Sequence, residues 1–163
     1  MIDDDRAAEI EAGFTSFYAE WREPLRRAVA LATGDVMTAG EAVDEAMTRA
    51  LARWDRIGSF DMPAGWVYRV VLNWSRGLFR KRKRELLTAI DLDGARSDSL
   101  PDVDLIDAVE RLPLRQRAVV IGRFYLDWST AEVADALDLA EGTVKSRLSR
   151  ALDQLARDLG GER

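Results

Sequence analysis

The chain of 163 residues contains no cysteine and no histidine. Disulfides, thiol nucleophiles, imidazole bases and the Cys/His sets that hold structural zinc are therefore excluded. There is no glycine-rich phosphate loop, and no apolar run approaches the roughly 20 residues of a membrane span. The opening residues Met1-Ile2-Asp3-Asp4-Asp5 are acidic where a secretory signal would be basic, so a cytoplasmic location is expected. Carboxylates remain, but every soluble helix surface carries them. Composition thus weighs against an enzyme, and no catalytic residue, metal ligand or cofactor is assigned.

What is present is a helical chain with segregated charge. Apolar residues make up 47%, enough for packed cores. Residues 1–11 hold a net charge of −4 and residues 91–107 a net −5, which leaves +4 for the rest of a chain whose total is −5. The acid is confined to two segments, and the parts that fold are mildly basic.

Periodicity reads as helix outside the loops. Phe14, Phe17, Tyr18, Trp21, Leu25, Ala28 and Val29 recur at helical spacing, with Pro24 expected to open a new turn or to kink the helix. Thr38 and Glu41 form a capping-box pattern that predicts a helix to about Trp54, with a stripe of Val43, Ala46, Met47, Ala50, Leu51 and Trp54. Pro63 suits the first turn of a long helix that ends in the basic run Arg80 to Arg84, with Val67, Val70, Val71, Trp74 and Leu78 inward. From Thr88 to Asp104 the pattern dissolves into Asp, Ser, Gly, Pro and Arg. Such a 17-residue linker spans at most about 55–60 Å. The fold class expected is all-α: two small helical domains, residues 12–87 and 105–160, joined by the flexible acidic linker 88–104. No alternating strand pattern and no repeat stands out.

In the second half, Ser129 and Glu132 make another capping box before a short helix, Thr130 to Leu137, with Ala131, Val133, Ala134 and Leu137 apolar. A tight connection, Asp138 to Gly142, leads to a helix whose inward stripe is Val144, Leu148, Ala151, Leu152 and Leu155. Its opposite face carries Thr143, Ser146, Arg147 and Arg150, flanked by Lys145. Periodicity alone favours an ordinary solvated face; the capped helix and tight turn before it reverse that preference in favour of a helix-turn-helix.

The stretch Leu112-Pro113-Leu114-Arg115-Gln116-Arg117, then Tyr125 to Leu137, then Gly142-Thr143-Val144-Lys145-Ser146-Arg147, resembles region 4 of extracytoplasmic-function sigma factors of bacterial RNA polymerase. Two positions depart from that family's pattern: Asp138 stands where the turn glycine is common, and Ala140 where a capping Ser is usual. The resemblance implies that Thr143, Lys145, Ser146, Arg147 and Arg150 read the −35 promoter element.

In the first half, Arg69, Asn73, Arg76 and Arg80 lie on one helical stripe, a cationic ladder interrupted by an amide. For residues 80–84 a solvated helix end matched to the dipole is the competing reading. Phe60 through Asn73 (FDMPAGWVYRVVLN) resembles the family's −10 region, in which a loop and an Asn hold a flipped base. The resemblance places Phe60, Asp61, Arg69, Asn73, Arg76 and Arg80 at melted −10 DNA. Trp66 and Tyr68 are further stacking candidates, Trp66 the more core-like of the two. The helix from Glu41 resembles the segment that grips the polymerase clamp, which points to Asp44, Glu45, Thr48, Arg49 and Arg53. Asp44 and Met47 stand where Gln and Phe are frequent in the family, and mixed charge there also suits a plain solvated face.

The implied function is a sigma factor, monomeric when free, whose partners are core RNA polymerase and promoter DNA, double-stranded and melted. An anti-sigma factor is a further partner compatible with the family, and no membrane contact is expected. A stand-alone dimeric helix-turn-helix regulator would need paired half-sites, and no extra dimerisation helix is evident. A nucleic-acid enzyme would need a metal site or a base, and no acidic cluster lies beside the basic ladder. The acidic linker suits a polymerase channel otherwise used by RNA; a flexible tether is the simpler reading. Replacing residues 89–104 with neutral Gly/Ser of equal length separates these. If the segment acts inside the channel, impaired initiation with promoter capture intact is expected, whereas unimpaired transcription reduces the segment to a spacer.

Overall fold

The computed structural model describes residues 2–74, 77 and 101–160, all helix or short connection with no strand among them. Arg76, Arg80, the basic run to Arg84 and linker residues 88–100 lie outside the described residues.

Helix α1 (Ile2–Thr33) is a single helix that passes through Pro24. Asp3, Asp4 and Asp5 occupy its first turn, where carboxylates suit the positive end of the dipole. Phe17, Leu25, Ala28, Val29 and Ala32 are buried along one face. Gly34 stops the helix in the left-handed region, φ +72°, and its N–H donates to the Ala30 carbonyl at 2.8 Å.

That turn leaves Asp35 extended as the N-cap of α2 (Val36–Leu51), where it accepts from the Thr38 N–H at 2.9 Å. The Thr38–Glu41 capping box is therefore displaced. Thr38 lies in the first turn, buried, and donates its hydroxyl to Asp35. The helix begins earlier than expected and ends at Leu51; Trp54 opens a separate turn, α3 (Trp54–Ile57). Leu51, expected inward, is exposed.

Helix α4 covers residues 63–74, with Pro63 in its first turn. Val67, Tyr68, Val71 and Leu72 are buried, while Val70 and Trp74 are only half-buried. The inward face is thus rotated towards Tyr68. The second half comprises α5 (Pro101–Arg111), α6 (Leu114–Val120), α7 (Thr130–Leu137) and α8 (Glu141–Gly160). Helix α5 starts at Pro101, inside the segment expected to be linker. A π-type turn, Ile121–Tyr125, continues α6, with the Leu126 N–H reaching back five residues to the Ile121 carbonyl at 3.0 Å.

One apolar core runs through both halves: Leu25, Val43 and Tyr68 belong to the same cluster as Val119, Trp128 and Val133. A smaller cluster of Ala108, Leu112, Val120, Ala151 and Leu155 supports α5 against α8. Two polar groups tie the seam. The fully buried Tyr68 donates its hydroxyl to the Ala118 carbonyl at 3.0 Å, and its ring meets Trp128 edge-on at 5.6 Å. Arg117 donates to the carbonyls of Ala32, Glu110 (2.9 Å) and Leu112 (2.8 Å), at the carbonyl ends of α1 and α5. A cation is favourable at both of those negative helix ends. Burial lowers the pKa of Arg117 from its ordinary value, yet a guanidinium stays charged at neutral pH.

Tyr68→Phe keeps the ring and removes the hydroxyl, so it is expected to cost about 1 kcal/mol in urea unfolding. Tyr68→Ala removes the ring as well and is expected to cost about 3–5 kcal/mol. Equal stability of wild type and Tyr68→Phe would show that the hydrogen bond contributes nothing.

Candidate nucleic-acid interface

The first candidate surface is built on the connection from α3 to α4. The chain turns tightly there: the Ser59 N–H donates to the Arg56 carbonyl at 3.2 Å, and the Phe60 N–H to the Ile57 carbonyl at 3.1 Å. The Arg56 guanidinium lies 5.9 Å from the Phe60 ring centroid, within cation–π range. Beside this loop is an open cavity of about 380 Å³, lined by Ser59, Phe60, Asp61, Met62, Trp66 and Arg69, with Asp135 of α7 on its far wall. The stacking candidates change places here. Tyr68 is a core residue between the halves, whereas Trp66 is half-buried and faces the loop cavity.

Arg69 and Asn73 are four residues apart on α4 and so share a face. They line a second cavity of about 310 Å³ together with Leu72, Leu114, Arg115, Ala118, Leu137, Leu139 and Arg147. The structure thus brings together three expected base-region residues, Phe60, Asp61 and Arg69, at one cavity. It brings Arg69, Asn73 and Arg147 together at the other.

The helix-turn-helix is built by local interactions. Ser129 accepts from the Glu132 N–H at 3.1 Å and donates its own N–H to the Glu132 carboxylate at 2.7 Å, the reciprocal capping box expected of that spacing. Val133, Ala134 and Ala136 are the buried face of α7, and the apolar Ala131 is exposed. Asp138 closes α7 in the left-handed region, φ 54° and ψ 53°, as a turn glycine would. The Ala140 carbonyl then accepts the N–H groups of Thr143 (3.0 Å) and Val144 (3.1 Å) at the start of α8, with no side-chain oxygen to assist. Val144, Ala151 and Leu155 are buried, and Leu152, expected inward, is exposed. On the outward stripe Lys145, Ser146 and Arg150 are exposed, while Thr143 and Arg147 are half-buried.

Of the expected polymerase-facing residues, Asp44, Glu45, Thr48 and Arg49 lie on α2 and are engaged with one another or with neighbouring helices, whereas Arg53 lies just beyond its end. Asp44 is held by Arg22 of α1 in a bidentate pair of 2.8 and 2.9 Å, which raises the Arg22 pKa above its ordinary value. Glu45 pairs with Arg49 at 3.0 Å, and Arg49 stacks 4.4 Å over the Trp74 ring. Thr48 donates to the Asp44 carbonyl, and Arg53 is exposed. The Arg22–Asp44 pair was not anticipated from sequence, because the partners are 22 residues apart on different helices.

Among the described residues, no group of acidic side chains could hold a metal ion, and no helix is long and apolar enough to cross a membrane.

Residues 102–155 match the family described as Sigma-70, region 4. Over 153 residues the chain is 35% identical to the ECF RNA polymerase sigma factor SigL of Mycobacterium tuberculosis, covering 86% of this chain and 84% of that protein. It is 30% identical over 151 residues to the RNA polymerase sigma-E factor of Streptomyces avermitilis, covering 90% and 84%. Among solved structures, the sigma factor RpoE of Bartonella quintana, in complex with the anti-sigma factor NepR, superposes with a TM-score of 0.69. That match is at 26% identity over 92% of this chain and 98% of that one. CnrH, in complex with the cytosolic domain of CnrY, shares the fold with a TM-score of 0.67 at 23% identity, over 96% of each chain.

Proposed function

We infer the division of labour in this molecule from one premise: the chain belongs to the ECF RNA polymerase sigma factors, and it therefore acts in promoter recognition and transcription initiation. Residues 12–87 are its clamp-binding and −10 unit, 88–104 its acidic linker and 105–160 its −35 unit. Helix α8 enters the −35 major groove with Thr143, Lys145, Ser146, Arg147 and Arg150; short hydroxyls and cations suit base edges and phosphates there. Phe60, Asp61, Arg69, Asn73, Arg76 and Arg80 engage the melted −10 strand. Asp44, Glu45, Thr48 and Arg49 of α2, with Arg53 just beyond its end, form the side presented to the polymerase clamp. The protein is not an enzyme: nucleotide chemistry stays with the polymerase. It works in the cytoplasm as a monomer until it joins the core enzyme, and an anti-sigma factor is a further partner.

The observation that carries the −10 assignment is the two-sidedness of α4. One face is spent on core packing through Val67, Tyr68 and Val71. The other sets a cation and an amide, Arg69 and Asn73, beside the cavity walls, where core packing gives them no role. An amide offers both donors and an acceptor, so it discriminates base edges that a cation does not.

Asn73→Ala is expected to leave folding and core-polymerase binding intact and to reduce promoter melting. Permanganate reactivity of unpaired thymines, compared for wild-type and variant holoenzyme on one promoter, reads this directly. Equal reactivity would return Asn73 to an ordinary solvated face.

A further inference from the structure

The second cavity gathers cations and no acid. Arg69 of α4, Arg115 of α6 and Arg147 of α8 line it together with Asn73, and none of its lining residues is a carboxylate. Among the described residues, neither Arg69 nor Arg115 forms an ion pair. The cations of α1 are treated differently: Arg22 is held by Asp44, and Arg26 and Arg27 by Glu23. Three guanidiniums brought into one concave space from three helices repel one another, and apolar walls strengthen that repulsion by lowering the local dielectric. A bound polyanion turns the same charges into attraction.

The walls select among polyanions. Guanidiniums form forked pairs of hydrogen bonds to phosphate oxygens. A terminal phosphate titrates near pH 6, so a nucleoside diphosphate carries about three negative charges at neutral pH, one for each guanidinium. Leu114, Leu137 and Leu139 are only half-buried at the same cleft, an apolar wall that bare phosphate would not use. An uncharged ring system covers such a wall and removes it from water. Asn73 adds an amide that both donates and accepts, as the polar edge of a base requires. The space of about 310 Å³ is near the lower end for small-ligand sites, which suits one nucleotide and not a chain of them.

We propose that this cleft is a binding site for a nucleoside di- or triphosphate, its phosphates held by Arg69, Arg115 and Arg147 and its base laid against the leucines. The site goes beyond promoter reading and does not depend on it. Arg115 has no part in the DNA assignments above, and neither DNA nor polymerase enters the test.

The free full-length chain is titrated into ADP carrying a fluorescent label on its ribose, and anisotropy is followed at fixed ionic strength. Saturable binding is expected, with unlabelled ADP displacing the probe. Inorganic pyrophosphate and adenosine each carry one part of the ligand, and each is expected to displace the probe at least tenfold less well than ADP. Arg115→Gln is expected to weaken binding at least tenfold. Arg157→Gln, which removes an exposed cation of α8 outside the cleft, is expected to leave it unchanged. Both side chains are exposed, and an unchanged urea midpoint checks that each variant keeps its fold. Absence of saturable binding at millimolar ADP overturns the site. Equal losses in the two variants reduce the binding to general charge and overturn it as well. Pyrophosphate that displaces the probe as well as ADP does would show an adventitious ion only, and no nucleotide site.

Discussion

A phenol hydroxyl without access to water must find a partner inside the protein, and Tyr68 finds the carbonyl of Ala118, fifty residues along the chain. The rest of the architecture is arranged around that requirement. To bring the hydroxyl to α6, helix α4 turns Tyr68 inward, and the ring meets Trp128, which in turn lies 6.0 Å from Trp21 of α1. The aromatic chain therefore joins α1, α4 and the segment after the π-type turn. Arg117, one residue before Ala118, adds the carbonyl ends of α1 and α5 to the same seam. Because successive helical residues are about 100° apart, committing Tyr68 to the core turns Arg69 and Asn73 away from it. The buried interaction and the outward stripe of Arg69 and Asn73 are opposite sides of one decision.

This arrangement sets stability against function at a single surface. A sigma factor must present two reading units to separated DNA elements, whereas a small helical domain gains from burying as much apolar surface as it can. In this chain the halves merge into one core, with Arg69, Asn73 and Arg147 along the junction. Along the junction Asp135, Arg115 and Arg147 stand among apolar residues such as Met62, Leu72 and Leu137.

What could be read from the sequence was local, and what could not was long-range. The Ser129–Glu132 box, the tight turn and the exposed Lys145, Ser146 and Arg150 of α8 depend on residues within a few positions of one another, and they are found where periodicity and capping chemistry place them. Asp138 adopts the left-handed geometry its turn demands. The Thr38–Glu41 box had the same local logic but lost to Asp35, because Gly34 delivers Asp35 in an extended conformation three residues earlier. Trp66 and Tyr68 exchanged roles for a different reason. Either ring could face the core of α4 alone, and the choice is made by Ala118 and Trp128, far along the chain. The Arg117 and Asp44 contacts are likewise set by distant partners. Arg69 and Asn73 were legible as a stripe, but their meeting with Arg147 is a product of the seam.

The central claim is that the Tyr68–Ala118 seam joins the two halves of the free chain in one core. Single-molecule energy transfer between dyes on cysteines introduced at the exposed positions Ser16 of α1 and Asp153 of α8 follows it directly. One short-distance population in the free chain is the predicted result. A free chain already extended, with the dyes far apart, would contradict it.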